Sequence, residues 1–285
     1  VNLLGENRES TIIDAQNVSK GIMLPPNGYS NVLIKNFTIQ NGSGNGELDS
    51  TNTYGGYGGG IAVGHNYEMV KLHNVIIKNC SVTSGPWGAK GGGVFSENSS
   101  LDIFNVFLQD NSSQGDGGGL YFEVNENKYL NINSTWIQNN SSSEKGGGVL
   151  IAGGIIDISN SEISFNNSSS YGGGLYLNNV QGEMNNITVT NNNSSDHGGG
   201  IYLDYANPIL RLVSVSDNTS TGHGAGMFVN NRRSELSPII KRSIFNNNIA
   251  ESATGGIFVN LSDPEFHHSL IVENQGGGSA LDRAG

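Results

Sequence analysis

The chain has 285 residues and a formal net charge of −11, so an anionic membrane or a nucleic acid is disfavoured as a partner. Cys80 is the single cysteine, which excludes a framework of intrachain disulfides, and no apolar run is long enough to span a membrane. The 42 glycines and the low fraction of charged residues, 14%, are not typical of a helical protein.

Residues 1–57 contain short apolar runs separated by turn residues, at 2–4, 11–13, 21–24 and 31–34. Such runs are typical of short strands. A longer polar insert extends from Glu47 to Tyr57. We therefore interpret residues 1–57 as opening coils of a repeat protein followed by a loop.

From residue 58 the chain repeats a glycine triplet followed by an apolar strand. The third position of the triplet falls at residues 60, 93, 119, 148, 174, 200, 226, 256 and 278. The commonest step is roughly 26 residues, and a fixed period of this length indicates a repeat architecture. A second element, an apolar residue followed by a short polar run ending in Asn, recurs in phase with the triplet, as in 136–140 and 163–167.

Each repeat holds about three short strands without helical periodicity. Three short strands cannot bury a core alone, but stacked repeats can, with each strand pairing in parallel with its equivalents. The sequence thus predicts an all-β fold, a single-stranded right-handed parallel β-helix of about 11 coils, forming one domain over residues 1–285. Residues 58–285 supply its glycine-triplet coils. Alternation places Val149, Ile151, Leu175 and Leu177 inside.

Aromatic residues occupy the middle of most triplet strands. If the flanking aliphatic residues point inward, these rings point outward as a stripe, which suits stacking on glycans or burying a partner. The alternatives are reversed faces or a purely structural cross-strand role. The members of this predicted aromatic ladder are Phe95, Tyr121, Tyr176, Tyr202, Phe228 and Phe258.

Asparagine has two expected roles. An internal amide ladder is predicted at Asn79, Asn139, Asn166, Asn192 and Asn247. Asn-x-Ser/Thr sequons are also dense, which is compatible with glycosylation of a surface protein or with repeated corner residues. The candidate glycosylation sites are Asn17, Asn36, Asn41, Asn98, Asn111, Asn133, Asn140, Asn167, Asn186, Asn193, Asn218 and Asn260.

The residues just before the triplets should stack as another ladder: Tyr57, Lys90, Asp116, Lys145, Tyr171, His197 and His223. His197 and His223 could form a metal pair or an acid–base pair, but two histidines are too few for a closed zinc site. We favour an exposed ladder in which Asp116 lies between two lysines. No metal and no cofactor is predicted.

An enzyme that cleaves polysaccharides on a β-helix is the main alternative. It would need clustered carboxylates beside a basic residue. Asp102, Asp157, Asp204, Asp263 and Glu265 are interpreted as out of phase with one another. The densest basic segments are 232–233 and 241–242, and a loop-borne site around Asp204, His223 and Arg233 stays open.

The combination of Gly-Gly-Gly/Ala-Ile/Leu/Val with Phe-x-x-Asn, alternating over roughly residues 58–281, resembles the repeats of the polymorphic outer-membrane protein family. The resemblance implies a β-helical passenger region of an autotransporter-like, surface-displayed adhesin. This chain departs from the family pattern because its third triplet residue is Gly rather than Ala. Trp136, Ile163 or Val189 also replaces Phe.

The sequence therefore predicts a non-enzymatic, extracellular or cell-surface β-helix that acts as an adhesin or a filament-forming structural protein. Its partners would be glycans, a cell surface or other copies of itself. A polysaccharide lyase or glycoside hydrolase is the alternative. Because neither end carries an obvious capping element, the chain is expected to be an excised segment or a subunit that stacks head to tail.

Overall fold

The structure is a computed structural model that describes residues 1–28, 30–44, 56–83, 88–125, 128–231, 236–251, 254–279 and 281–284. These residues form a parallel β-solenoid with no helix. The chain visits four sheets in turn, which we number I to IV in the order in which it meets them within a coil. The insert predicted from Glu47 lies largely outside the described residues.

Sheets I and II each contain ten strands in chain order. Sheet I consists of Asn2–Leu4, Val32–Lys35, Val70–His73, Leu101–Phe104, Tyr129–Asn133, Ile155–Ser159, Gln181–Asn185, Ile209–Arg211, Ile239–Lys241 and Glu265–His267. Sheet II consists of Ile12–Asp14, Thr38–Gln40, Ile76–Lys78, Phe107–Gln109, Trp136–Gln138, Glu162–Ser164, Thr188–Thr190, Ser214–Ser216, Ile244–Asn246 and Leu270–Val272. The strands of each sheet pair in parallel.

Sheet III is short, with seven strands, and sheet IV again has ten. Sheet III consists of Ser81–Val82, Ser112–Ser113, Ser141–Ser142, Asn167–Ser168, Asn193–Ser194, Thr219–Ser220 and Ile249–Ala250. Sheet IV, which contains the strands after the glycine triplets, consists of Ile22–Leu24, Ile61–Val63, Val94–Glu97, Leu120–Glu123, Val149–Ala152, Leu175–Asn178, Ile201–Asp204, Met227–Asn230, Ile257–Asn260 and Leu281–Ala284.

The predicted all-β solenoid is confirmed, with two adjustments. The described residues wind through about nine turns rather than 11. Most coils also carry a fourth, two-residue strand in sheet III, which the sequence pattern did not reveal because Ser-Ser and Asn-Ser resemble a loop. The right-handed sense of the winding stays a prediction.

The core is a column of aliphatic side chains from the inner faces of the sheets. Val149, Ile151, Leu175 and Leu177 are fully buried in it, as their alternation predicted. Residues at the same position of neighbouring coils lie in register, for example Leu175 beside Ile201. Burial of apolar surface along this column holds successive coils together.

Corners between the sheets require left-handed backbone. Asn139, Asn191 and Asn247 turn the chain from sheet II to sheet III with φ between 55° and 56°. Asn tolerates this conformation better than other residues with a Cβ atom, which explains the abundance of Asn in the sequence. The corner before sheet IV begins with a triplet glycine, such as Gly172 with φ of 68°.

Candidate functional site

The predicted aromatic ladder exists, but it is buried. Tyr176 and Tyr202 stack with centroids 5.2 Å apart, and Tyr202 and Phe228 follow at 4.9 Å. The rings lie on the outer face of sheet IV, opposite the aliphatic core, as expected. However, Tyr202 is only 6% exposed, and among the six predicted rings only Phe258 is more than slightly accessible. The prediction of an exposed aromatic stripe is therefore wrong, and its role in binding a partner stays a prediction.

The glycine turn is the physical reason for this burial. A Cβ atom on Gly172 would lie 2.9 Å from the Cβ atom of Tyr176, so the turn packs directly on the outer face of the strand. The residue before the glycine then covers the rings: Tyr171 lies 4.9 Å from Tyr202, and His197 stacks 4.6 Å from Phe228. The result is a second, smaller hydrophobic cluster outside sheet IV.

The residues before the triplets are thus a cover over aromatic rings rather than the exposed ladder that was expected. Lys90 Nζ lies 4.7 Å from the Tyr121 centroid and 3.1 Å from Glu123 Oε2. Lys145 Nζ lies 5.1 Å from the Tyr176 ring. The lysines therefore make cation–π contacts with the rings below them.

Asp116, which was expected to lie between two lysines, is in register with Lys90. Its Oδ1 accepts a hydrogen bond from the backbone N–H of Lys145 at 3.0 Å. Burial raises the pKa of Asp116, although this backbone hydrogen bond and the two lysines act in the opposite direction.

His197 and His223 are neighbours, with ring centroids 5.3 Å apart. The backbone N–H of His223 donates to His197 Nδ1 at 2.8 Å, and His197 Nε2 lies 3.3 Å from Asp196 Oδ1. Burial lowers the pKa of His197, and the nearby His223 lowers it further, whereas Asp196 raises it. No group of three potential metal ligands occurs in the part of the chain that the structure describes.

A buried amide ladder runs between sheets II and III, but its members differ partly from those predicted. Asn166 and Asn192 are members, as expected. Asn79, Asn139 and Asn247 are instead exposed corner residues with φ of 54° to 56°. The chain places the ladder one position after the left-handed residue, because only there does the side chain point inward. The members are Asn111, Asn140, Asn166, Asn192, Asn218, Asn248 and Asn274.

Three predicted glycosylation sites belong to this ladder. The side-chain amides of Asn111, Asn140 and Asn218 donate to buried backbone oxygens, so a glycan cannot replace their hydrogens in the folded chain. These three assignments are corrected. Asn17, Asn167, Asn186 and Asn193 are exposed, whereas Asn36, Asn41, Asn98, Asn133 and Asn260 are half-buried, and all nine stay predictions.

The carboxylates are less scattered than the sequence suggested. Asp102, Asn131, Asp157 and Glu183 occupy one column on the outer face of sheet I, on successive coils. Glu265 lies further along the same column, beyond Ile209 and Ile239. The interpretation that Asp102, Asp157 and Glu265 are out of phase is therefore wrong. It failed because inserts of different length hide the register in the linear sequence.

The loop-borne site around Asp204, His223 and Arg233 gains no support. Asp204 accepts hydrogen bonds from the Tyr176 hydroxyl at 2.8 Å and from the amides of Asn178 and Asn230. His223 contacts His197 and Phe258 instead. Arg233 lies outside the described residues, as does Arg232.

The carboxylate column borders a depression of about 410 Å³ on the outer face of sheet I, which we call the sheet I depression. Glu183 Oε1 accepts a hydrogen bond from Arg211 Nε at 2.8 Å, and Asp157 is exposed. Carboxylates, amides and a guanidinium together offer both acceptors and donors to a bound molecule. The depression is lined by Ile156, Asp157, Gln181, Gly182, Glu183, Asn207 and Ile209.

Sequence reasoning missed most of this site, although two signals mark it. Gly182 replaces an inward-facing apolar residue of its strand, and Pro208 stands just before the next strand of the sheet. Both residues are unusual inside a sheet and often mark a local break in pairing. Nothing in the sequence marks the other polar residues of the site, which are Gln181, Glu183 and Arg211.

The fold and these surfaces define the chain as a β-solenoid repeat protein. The family model of the Chlamydia polymorphic membrane protein repeat matches residues 186–204. This segment contains a sheet II strand, the ladder residue Asn192, one glycine triplet and a sheet IV strand. No curated protein and no solved structure matches the chain. None of the described residues forms a helix long and apolar enough to cross a membrane.

Proposed function

We propose that this chain is a rigid, surface-displayed module of an adhesin-like protein, associated with an outer membrane and binding its partner without chemical turnover. The observation that carries the proposal is the family match at residues 186–204, which falls on one coil of the solenoid. The same coil pattern recurs in register along the sheets. A module of this kind presents long, regular faces to a partner.

The candidate partners are glycans, a host cell surface or other copies of the chain. Adhesion can be measured directly, by coating beads with the purified chain and counting beads retained on cultured cells. Specific retention, blocked by soluble chain, supports the proposal. Retention equal to that of beads coated with an unrelated acidic protein overturns it. Sedimentation of the chain over a range of concentrations tests self-association separately.

A second candidate function is glycoside hydrolysis, and one observation favours it. Asp157 and Glu183 lie on adjacent coils of one column, and Glu183 bonds to Arg211. Glycosidases use two carboxylates that flank the bond to be cleaved. Release of reducing sugar from polysaccharides, abolished in Asp157→Asn, would support hydrolysis. Absence of turnover over many hours across a broad panel of substrates would exclude it for those substrates.

A further inference from the structure

The sheet I depression originates in the backbone. Gly182 continues the inner column after Ile156, with φ of 125°, and a Cβ atom there would lie 2.0 Å from the Ile156 oxygen. Strand pairing with the next coil begins at Glu183, opposite Ile209, and before it the Asn207 N–H donates to the Val180 oxygen at 3.1 Å. Between these two contacts Gln181 and Gly182 have no strand partner in the next coil, so the ladder is interrupted there.

Polar groups surround this opening. Asp157 and Gln181 are exposed, and the Glu183–Arg211 pair stands at one edge. Asn207 also borders the depression, and its Oδ1 has no hydrogen-bond partner among the described residues. A buried amide oxygen without a donor is unfavourable, so a hydroxyl donor from a ligand would be stabilising there once the side chain rotates toward it.

Apolar groups border the polar ones. Tyr129, Ile155 and Gln181 form one column on three successive coils, and Tyr129 is 50% exposed. Adjacent coils are about 4.8 Å apart, so this column and the depression extend over about 10–14 Å. An exposed aromatic ring two coils before Gln181, in line with the depression, suits a molecule with both apolar faces and hydroxyl groups.

We propose that the sheet I depression binds a short, uncharged glycan. Asp157, Glu183 and Asn207 would accept hydrogen bonds from sugar hydroxyls, Gln181 and Arg211 would donate to sugar oxygens, and Tyr129 would contact an apolar sugar face. Sialylated or sulfated glycans are disfavoured by Asp157 and by the net charge of −11. This inference rests on the proposed adhesin-like function, for which it names the class of ligand and the site.

The test uses the full chain on a panel of immobilised uncharged oligosaccharides, built from hexoses and N-acetylhexosamines, together with their sialylated and sulfated counterparts. Binding is expected for uncharged members and should change little between 50 and 500 mM salt, because no ion pair forms. Asp157→Asn and Gln181→Ala should each weaken binding by about tenfold, the usual effect of losing one or two hydrogen bonds. A preference for sulfated or sialylated members would overturn the inference, as would steep salt dependence or no binding to the panel.

Glu265→Gln is the matched control, because Glu265 lies in the same column but three coils beyond Glu183. It should bind as the unmodified chain does. Asp157, Gln181 and Glu265 are all exposed, so their variants should unfold at the same denaturant concentration as the unmodified chain. Equal weakening in Glu265→Gln, or no weakening in Asp157→Asn, would overturn the assignment of the site.

The adhesin-like function and the glycan-binding site are contradicted by different results. Cell adhesion that persists unchanged in Asp157→Asn leaves the adhesin-like function standing and removes the sheet I depression as its binding site. Glycan binding that depends on Asp157, without any cell adhesion, supports the site and removes the adhesin-like function.

Discussion

Asn166 Nδ2 donates a hydrogen bond to Asn192 Oδ1 at 2.9 Å, and the same oxygen accepts the backbone N–H of Asn166 at 3.0 Å. The remaining amide hydrogen of Asn166 goes to the Ile137 oxygen. The ladder residues from Asn111 to Asn248 repeat these bonds, so one side chain bonds to groups of the coil before and of the coil after its own. Every member is thereby satisfied in a place where an unpaired polar group would be costly.

Asn192→Ala should destabilise the fold by about 2–4 kcal/mol, because it leaves buried donors of Asn166 unpaired and opens a small cavity. Chemical denaturation followed by circular dichroism measures the change. Asn193→Ala is the control: Asn193 is the next residue, it is exposed, and its loss should cost less than about 1 kcal/mol. Equal effects of the two substitutions would contradict the inference that the buried hydrogen bonds of the ladder stabilise the fold.

Tyr202→Ser should lower stability by about 3–5 kcal/mol, since the ring is buried between Tyr176 and Phe228 and beneath Tyr171. The outer cluster would lose contacts along its length. Tyr129→Ser, at an exposed tyrosine on sheet I, should cost about 1 kcal/mol or less. A thermal unfolding scan of both variants distinguishes them, and a Tyr202→Ser protein as stable as Tyr129→Ser would refute the burial of the aromatic ladder.

Phe165→Asn should stabilise the chain by about 1 kcal/mol. Phe165 has φ of 57° and is 56% exposed, whereas Asn occupies the same corner in the coils before and after it. A bulky residue is strained in left-handed backbone, and Asn relieves the strain at little loss of packing. Phe104→Asn, at an exposed strand position, should give no gain because Asn is a poor strand residue. A lower denaturation midpoint for Phe165→Asn would show that the ring makes contacts that outweigh the strain.

Stability should fall as the pH drops below about 6.5, the ordinary pKa of histidine, because His197 has a lowered pKa in the folded chain. Between the folded and unfolded pKa values the unfolded chain binds more protons, so acid favours unfolding. This loss of stability is complete once the pH lies below the pKa of His197 in the folded chain. The groups around the imidazole are Asp196, His223 and Tyr171.

His197→Asn tests this assignment, since an Asn oxygen can accept the His223 N–H in place of the imidazole nitrogen. Denaturation midpoints at pH 7.5 and pH 5 should differ less in this variant than in the unmodified chain. An unchanged difference would show that the acid sensitivity does not come from His197.

The glycine period and the alternation of apolar residues were enough to predict a parallel solenoid and its inner face. Both depend on local rules: side chains alternate along a strand, and a repeat that cannot bury its own core must stack. Val149 and Leu175 were placed correctly for that reason. The exact residue that points inward at each corner was harder to predict, because the left-handed corner residue shifts the inward position by one. For this reason Asn139 was predicted as a ladder member, whereas the ladder contains Asn140.

What the tertiary structure decided is accessibility. The alternation of inward and outward side chains predicted which face of sheet IV carries Tyr176 and Tyr202. Only the folded turn at Gly172 shows that this face is covered. In the same way, Asp102, Asp157 and Glu183 are separated along the chain by variable inserts and meet only when the coils are in register. Sequence periodicity fixes the direction of a side chain relative to its own strand, whereas burial and long-range neighbours depend on how other coils and turns pack around it.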